Sequence, residues 1–521
     1  MNTTTPEDFA IDLASLTTHP DHLWVGSGSA CAHPVPGTVM AVRGFFSPPV
    51  SAPDLLLDVT LEINGHTVHD WGAGGGGDVG LLYAGGRWMP DAIERIGTYH
   101  QRRDGRIVSV FLRARLVPLA GHAGFLLAVG ITNRSPSPCT VEVIPQVKPG
   151  SLRLIPLSEW AYPKPKPGTS EAKPSGPDSW SNGEVTLRLD CVNRQFDLAP
   201  GAATRFFCLV TANEKTGLQP ERMESAASQA WQRRLDTCLD AIPRLTGSNP
   251  ALEDYYRRSL ISGLVCFWEN PAFAMQPHIA TSGLDGGALC SYLWDLGGYA
   301  PQTLALMLGD RARAIALEFA RTDLTRYYAI APDGHPVGVA YAYSVWSFVR
   351  LIGAICSMRG FDGELFAEAR RLVLDLEARA DARGLVDFGG HDALLEMRGT
   401  GWEHVVASPN AERAWCLREI ADWNDFAGGP ADISAGWRAR ADAIAQAIRE
   451  HLWDADAGWF RCLHPGGHSE IVLSIQAFDA LRAGVCSPEM KTDLLRHLVE
   501  DGFLGSYGIS SVDRADTVHY E

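Results

Sequence analysis

Tyr343-Ser344-Val345-Trp346-Ser347-Phe348-Val349-Arg350-Leu351-Ile352-Gly353-Ala354-Ile355-Cys356 is apolar almost all the way round a helical wheel. A helix of that kind is buried on every side. The next stretch places Leu365, Ala369, Leu372 and Leu376 on one stripe and Arg370, Arg371 and Asp375 on the other, so it has a single buried face. Asp442–Trp453 repeats the one-faced type, with Ile444, Ile448 and Leu452 spaced by four. Alternation of the two types is what concentric rings require, an inner ring of helices enclosed by an outer one. About nine helices are expected between Ala251 and Glu500, with long Gly- and aromatic-rich loops between the pairs. This is the pattern of an α/α barrel whose long loops gather at one rim and carry function.

Upstream of about residue 212 the apolar period is two. Leu57, Val59, Leu61 and Ile63 alternate with polar residues and run into Asn64-Gly65, a hairpin signal. Further strands are expected at Ile107–Leu116, Phe125–Ile131, Val141–Ile144, Val185–Leu189 and Phe206–Val210. Many strands, turn-rich connections and no helical pattern predict a β-sandwich. The run Gly74-Gly75-Gly76-Gly77 lacks the Lys-Ser/Thr of a phosphate-binding loop and reads as a plain loop, as does the Pro/Lys/Ser/Gly-rich stretch from Pro163 to Gly183. Met223–Leu239 reads as a helical linker that the Pro243–Pro250 segment ends. The expected organisation is a sandwich over 1–222, a helical linker over 223–250 and an α/α barrel over 251–521.

A chain of 521 residues, 46% apolar and 20% charged, is too long for one core and ordinary in its balance. The net charge of −16 is spread along it, and no basic patch is present to neutralise phosphates. That argues against nucleic acid or an anionic membrane as partner. Met1–Leu16 carries Glu7, Asp8 and Asp12 and no basic n-region, so no secretory signal is expected. No window approaches about 20 uninterrupted apolar residues, and no transmembrane helix is expected. The 11 cysteines are scattered without a CxxC pair and read as core thiols, which points to a cytoplasmic location.

Three loops of the helical half could do chemistry. Pro271–Tyr299 contains Asp285 in a Gly-rich run and ends on Ser291-Tyr292-Leu293-Trp294-Asp295. An aromatic ring beside a carboxylate suits a sugar, the ring stacking on its apolar face and the carboxylate taking hydroxyl hydrogen bonds. The plainer reading is a Trp anchoring a helix end with Asp295 as its cap. Gly384–Asn410 packs Asp387, His391, Asp392, Glu396, Trp402, Glu403 and His404 into one connection, between a helix ending near Arg383 and one starting near Ala411. Loops of that length in a compact domain are usually functional. A carboxyl held against Trp402 or after Leu394-Leu395 would be partly desolvated, which suits a general acid. His404 reads as a hydrogen-bonding or sugar-contacting residue, because no HExxH-like spacing accompanies it. The third loop, Gly502–Glu521, carries Asp513, Asp516, His519 and Glu521. It reads equally as further sugar contacts or as a solvated end.

The chain resembles the six-hairpin glycosidase superfamily, and most closely its trehalase, processing α-glucosidase and glycogen-debranching branches. Tyr292-Leu293-Trp294-Asp295 is similar to the tryptophan–aspartate motif that those enzymes place at the sugar site. Gly401-Trp402-Glu403…Ser408-Pro409 resembles their Gly-Trp-Asp…Ser-Pro motif, in which the acid is the proton donor. Ile444–Asp454 with Gly458-Trp459-Phe460 resembles their closing helix, as do Phe478–Gly484, a helix over Leu494–Phe503 and Gly508-Ile509. The resemblance covers about Ala251 to Glu521. Glu403 stands where the motif has Asp, and the gap to Ser408-Pro409 is longer, so Glu396 stays beside Glu403 as candidate acid.

The resemblance implies hydrolysis of a glycosidic bond in an oligosaccharide or small glycoside, with inversion. Glu396 or Glu403 would be catalytic. Trp294, Asp295, Asp285, Trp402, His404 and Asn410 would bind substrate, and no cofactor or metal is expected. The alternatives are a disaccharide phosphorylase of similar architecture and a non-catalytic sugar-binding relative. A closed barrel of six hairpins would need twelve helices, and nothing helical is expected after Phe503. If the chain is complete as given, the barrel is expected to be open or finished by another chain, with the water-activating base drawn from Asp513, Asp516 or Glu521 or missing altogether. If it is a fragment, exposed inner-helix surface and little turnover are expected.

Overall fold

The computed structural model describes residues 4–13, 24–70, 81–103, 106–161, 171–213, 217, 219–247, 249–280, 289–394, 401–506 and 508–520. Gly74–Gly77, residues 163–170, Asp285, Glu396 and Glu521 lie outside the described residues. The chain divides into two compact units, Met1–Ser291 with Ala331–Asp333, and Tyr292–Ile330 with Gly334–Glu521.

The first unit is built on two antiparallel sheets. In the larger, nine strands run in the order Ile11–Asp12, Leu82–Met89, Ala92–Arg103, Arg106–Pro118, Gly124–Asn133, Ala203–Ala212, Thr186–Val192, Ser179–Ser181 and Lys173–Gly176. The other is centred on Val50–Ile63, which pairs with Val42–Ser47 and Cys139–Lys148. One core lies between them. Leu57, Val59, Leu61 and Val143 of one sheet pack with Leu112, Phe125, Leu127 and Phe206 of the other, so the alternating residues face inward as a sandwich requires. Asn64 (φ 51) and Gly65 (φ 76) turn the hairpin from Ile63 to His66 with the positive φ at both positions that a type I′ turn needs.

Strand Gly124–Asn133 is apolar without alternation because both its faces are covered. Phe125, Leu127 and Val129 enter the inter-sheet core, while Leu126 and Ala128 meet Phe207, Leu209 and Ala227 on the outer side. Ala227 belongs to α1 (Pro220–Ala241), the helix expected as a linker. That helix lies on the sheet, and its buried Trp231 donates from Nε1 to the Gly26 carbonyl at 2.8 Å. α2 (Pro250–Val265) follows. Trp268, Phe273 and Leu289 then pack with Cys31, Phe46 and Trp160, which is why the first unit continues to Ser291. The second half of the Pro163–Gly183 stretch, expected as loop, adds the edge strands Lys173–Gly176 and Ser179–Ser181, turned through Asp178 at φ 52.

The second unit is helical. Its helices are α3 (Pro301–Leu308), α4 (Arg311–Ala320), α5 (Ser344–Arg359), α6 (Gly363–Glu377), α7 (Ala407–Phe426), α8 (Ala431–His451), α9 (Ala477–Arg482) and α10 (Pro488–Leu495). α5 and α7 are buried round most of their circumference, whereas α6 and α8 bury one stripe each, Leu365, Ala369, Leu372 and Leu376 in α6 and Ala441, Ile444, Ala445 and Ile448 in α8. α7 starts at Ala407 and not near Ala411, because Pro409 falls in the first turn, where its missing N–H leaves no bond unmade. The helix expected over Leu494–Phe503 ends at Leu495, and turns follow. Among the described residues no helix is long and apolar enough to cross a membrane.

Candidate active site

Within the second unit, the segments that lead into α3, α5 and α7 carry the aromatic and acidic residues singled out by the sequence. Trp294–Tyr299 forms a single π-helical turn, a rare form often found at functional sites. Two glycines permit it. A Cβ on Gly297 would stand 1.9 Å from the Ser347 carbonyl oxygen of α5, and one on Gly298 would meet the Trp294 ring at 2.7 Å. Trp294 is half-buried among Tyr343, Trp346 and Tyr341, with ring centroids 5.1, 5.6 and 5.8 Å away. Tyr292 stacks on Tyr328 at 5.6 Å and 15°. Asp295 is half-buried in the same turn.

The loop before α7 is fastened to this aromatic wall. Ala342 N–H donates to the Ala393 carbonyl at 2.9 Å, and the Tyr343 hydroxyl lies 2.9 Å from the Ser408 hydroxyl. His404 takes a positive φ of 63, held by its N–H to the Gly389 carbonyl (2.7 Å) and its own carbonyl accepting from Phe388 (3.1 Å). Non-glycine residues pay for that conformation, and it recurs at sites where side-chain direction matters. Here it brings Nδ1 to within 3.1 Å of Asp387 Oδ1. Glu403 is half-buried beside it, and a Cβ on Gly390 would lie 3.9 Å from its Oε2. Glu403, His404 and His464 bring ligand-capable atoms within 4.8 Å of one another, as do His464, His468 and Glu470.

Two of the expected substrate contacts, Asn410 and Trp402, are buried. Asn410 is fully buried, and its amide serves the protein: Oδ1 accepts from Val386 N–H (2.9 Å) and Arg413 (2.7 Å), while Nδ2 donates to the Val386 and Val406 carbonyls. Trp402 is 1% exposed, its ring enclosed by the protein. Asp513 and Asp516 of the third loop are buried as well. Asp513 is buried with His497 Nδ1 at 2.6 Å, and Asp516 accepts from Leu473 N–H and holds His519 Nδ1 at 2.8 Å. Both carboxylates are committed to their own surroundings. Asp285, Glu396 and Glu521 lie outside the described residues.

The sequence reading passed over a second group. Arg350 and Arg482 both lie over the Trp346 ring, at 4.5 and 4.4 Å, and Arg350 also donates to the Gly298 carbonyl of the π turn. Arg482 pairs with Glu412 and with Asp479 (3.0 Å). Burial pushes the Glu412 carboxyl well above its usual range and raises Asp479 to about 6, the arginines only partly offsetting it. The available signal was charge inside helices that are otherwise buried all round.

The architecture is thus a β-rich N-terminal half followed by a helical C-terminal half, with aromatic rings and a carboxylate on the segments before α5 and α7. Residues 410–520 match the family model described as the mannosylglycerate hydrolase MGH1-like glycoside hydrolase domain. The match agrees with the glycosidase resemblance drawn from the sequence. A search of curated proteins finds no match. Among solved structures the chain is similar to a bacterial glucoamylase complexed with acarbose (11% identity, 93% of this chain and 78% of that one, TM-score 0.48). It is also similar to a rhamnosidase from Klebsiella oxytoca with rhamnose bound (16%, 60% and 58%, 0.39) and to the neutral trehalase of Saccharomyces cerevisiae (15%, 44% and 56%, 0.36). The chain thus spans less than two thirds of the length of the rhamnosidase and of the trehalase.

Proposed function

We propose that the chain cleaves a glycosidic bond of an oligosaccharide or small glycoside by hydrolysis with inversion, on an α/α barrel that follows the N-terminal sandwich. The observation that carries this reading is the loop before α7. It holds the half-buried Glu403 beside the left-handed His404 and is hydrogen-bonded to the Tyr341–Tyr343 segment next to Trp294. A carboxyl for the leaving oxygen and a platform for a pyranose are thereby tied to one framework. In this reading Glu403 protonates the leaving group, with Glu396 on the same loop as the alternative donor. Trp294, Asp295 and His404 contact the sugar, and Asn410 and Trp402 shape the loop. The alternation of α5 to α8 supports the double ring.

The test is turnover on a panel of nitrophenyl glycosides and natural disaccharides, with the first-formed anomer read by NMR. Inverted product is expected, and Glu403→Gln or Glu396→Gln should lower the rate ~10²–10⁴-fold. If both variants keep wild-type rates, the acid is misplaced. Turnover that requires inorganic phosphate would make the chain a phosphorylase instead.

A further inference from the structure

We propose that the hairpin His464-Pro465-Gly466-Gly467-His468-Ser469-Glu470 is a divalent-metal site of the two-histidine, one-glutamate kind, with zinc as its natural occupant. The inference does not depend on the glycosidase reading.

Strands Trp459–Leu463 and Ser469–Ile471 pair in the register Leu463↔Ser469 and Cys462↔Glu470. The Pro-Gly-Gly turn closes them, with Gly466 at φ 81 and Gly467 at φ 85, and His464 N–H donates to the His468 carbonyl at 2.8 Å. The turn therefore sets His464 and His468 at the neck of the hairpin, their ring centroids 5.2 Å apart. Glu470 is two residues past His468, so the alternation of a strand returns its side chain to the same face. Their ligand-capable atoms all lie within 4.8 Å of one another. Glu470 Oε1 is 3.0 Å from His464 Nε2 and 3.9 Å from His468 Nε2. Ligands ~2.0–2.1 Å from a tetrahedral zinc stand roughly 3.3 Å from one another. The observed pair brackets that spacing.

A plain ion-pair network fits less well. His464 Nε2 is buried and makes no hydrogen bond, although Glu470 Oε1 is 3.0 Å away. An ion between them would satisfy both lone pairs. The surroundings are also those of a metal ligand. His519 is buried, its Nδ1 fixed by Asp516 at 2.8 Å and its Nε2 3.4 Å from Glu470 Oε2. It stands beside Oε2 of Glu470 and not Oε1, and Asp516 is itself held by the Leu473 and His519 N–H groups. Ligating carboxylates and their partners are tied down in this way. His468 is exposed, which gives the ion a way in. Three protein ligands leave a fourth position for water or a solute oxygen.

The experiment uses the untagged full chain, stripped with chelator and titrated with Co²⁺ while the visible band of four-coordinate cobalt is followed, then with Zn²⁺ in competition. Saturation at a single ion per chain is expected, with Zn²⁺ displacing Co²⁺. His468→Ala and Glu470→Gln should abolish the band, His519→Ala should weaken binding about 10–100-fold, and Glu403→Gln should leave it unchanged. Because His468 is exposed, its variant keeps the fold, which circular dichroism checks. Absence of saturable binding, or binding that survives both His468→Ala and Glu470→Gln, would overturn the proposal. So would loss of the ion in Glu403→Gln, which would move it to the Glu403–His404–His464 group.

Discussion

Both ends of the Asn410 amide are engaged by the chain around it, so its side chain sets the shape of the loop that holds Glu403. Asn410→Ala would leave the buried Val386 N–H and carbonyl without partners. Each such group costs about 1–3 kcal/mol, so urea unfolding should show a loss of at least about 2 kcal/mol. A variant as stable as wild type would return Asn410 to the substrate. Asp479 gives a pH-dependent counterpart. Burial raises its carboxyl to about 6, above the unfolded value near 3.8. The folded state therefore binds the proton more tightly, and this contribution to stability is present below about pH 3.8 and lost as pH rises through about 6. Asp479→Asn cannot titrate. Lowering the pH from 7 to 5 should thus stabilise wild type relative to the variant, whereas a difference in melting temperature that ignores pH would contradict the assignment.

At the scale of elements, the π turn Trp294–Tyr299 depends on Gly297 lying against the Ser347 carbonyl of α5. Gly297→Ala cannot fit without moving the turn, and overpacking of this kind costs about 1–3 kcal/mol. The expected outcome is a lower melting temperature together with a raised KM, because Trp294 moves with the turn. A lower melting temperature with unchanged KM would place the sugar elsewhere. The elements themselves were largely legible. Leu57–Ile63 with Asn64-Gly65, and the stretch from Tyr343 to Leu376, each state a period that the structure keeps. Strand Ala92–Arg103 was passed over, since Arg95 sits where an apolar residue is expected. It is buried, donates to the Thr38 and Ala41 carbonyls, and faces the charge of Asp70, while burial lowers its pKa to about 10. Buried pairs of this kind come from distant positions and leave no local period.

At the scale of the molecule the same limit applies to the candidate site. Trp294, Glu403 and His404 could be found along the chain because each stands in a long loop beside a helix start. The group around Trp346 could not, because Arg350, Glu412, Asp479 and Arg482 come from α5, α7 and α9 and meet only once those helices pack. Trp402 and Asn410 were singled out by residue type, and their burial could not be read from the local sequence. The central claim, that Glu403 gives a proton to a leaving sugar oxygen, has a direct measurement. A general acid matters in proportion to the basicity of the leaving group. Glu403→Gln and wild type should be compared on two glycosides of the sugar the protein accepts, one with an alkoxide leaving group and one with a nitrophenolate. The account predicts a fall of ~10²–10⁴-fold on the first and a much smaller one on the second. An equal fall on both, or none on either, would contradict it.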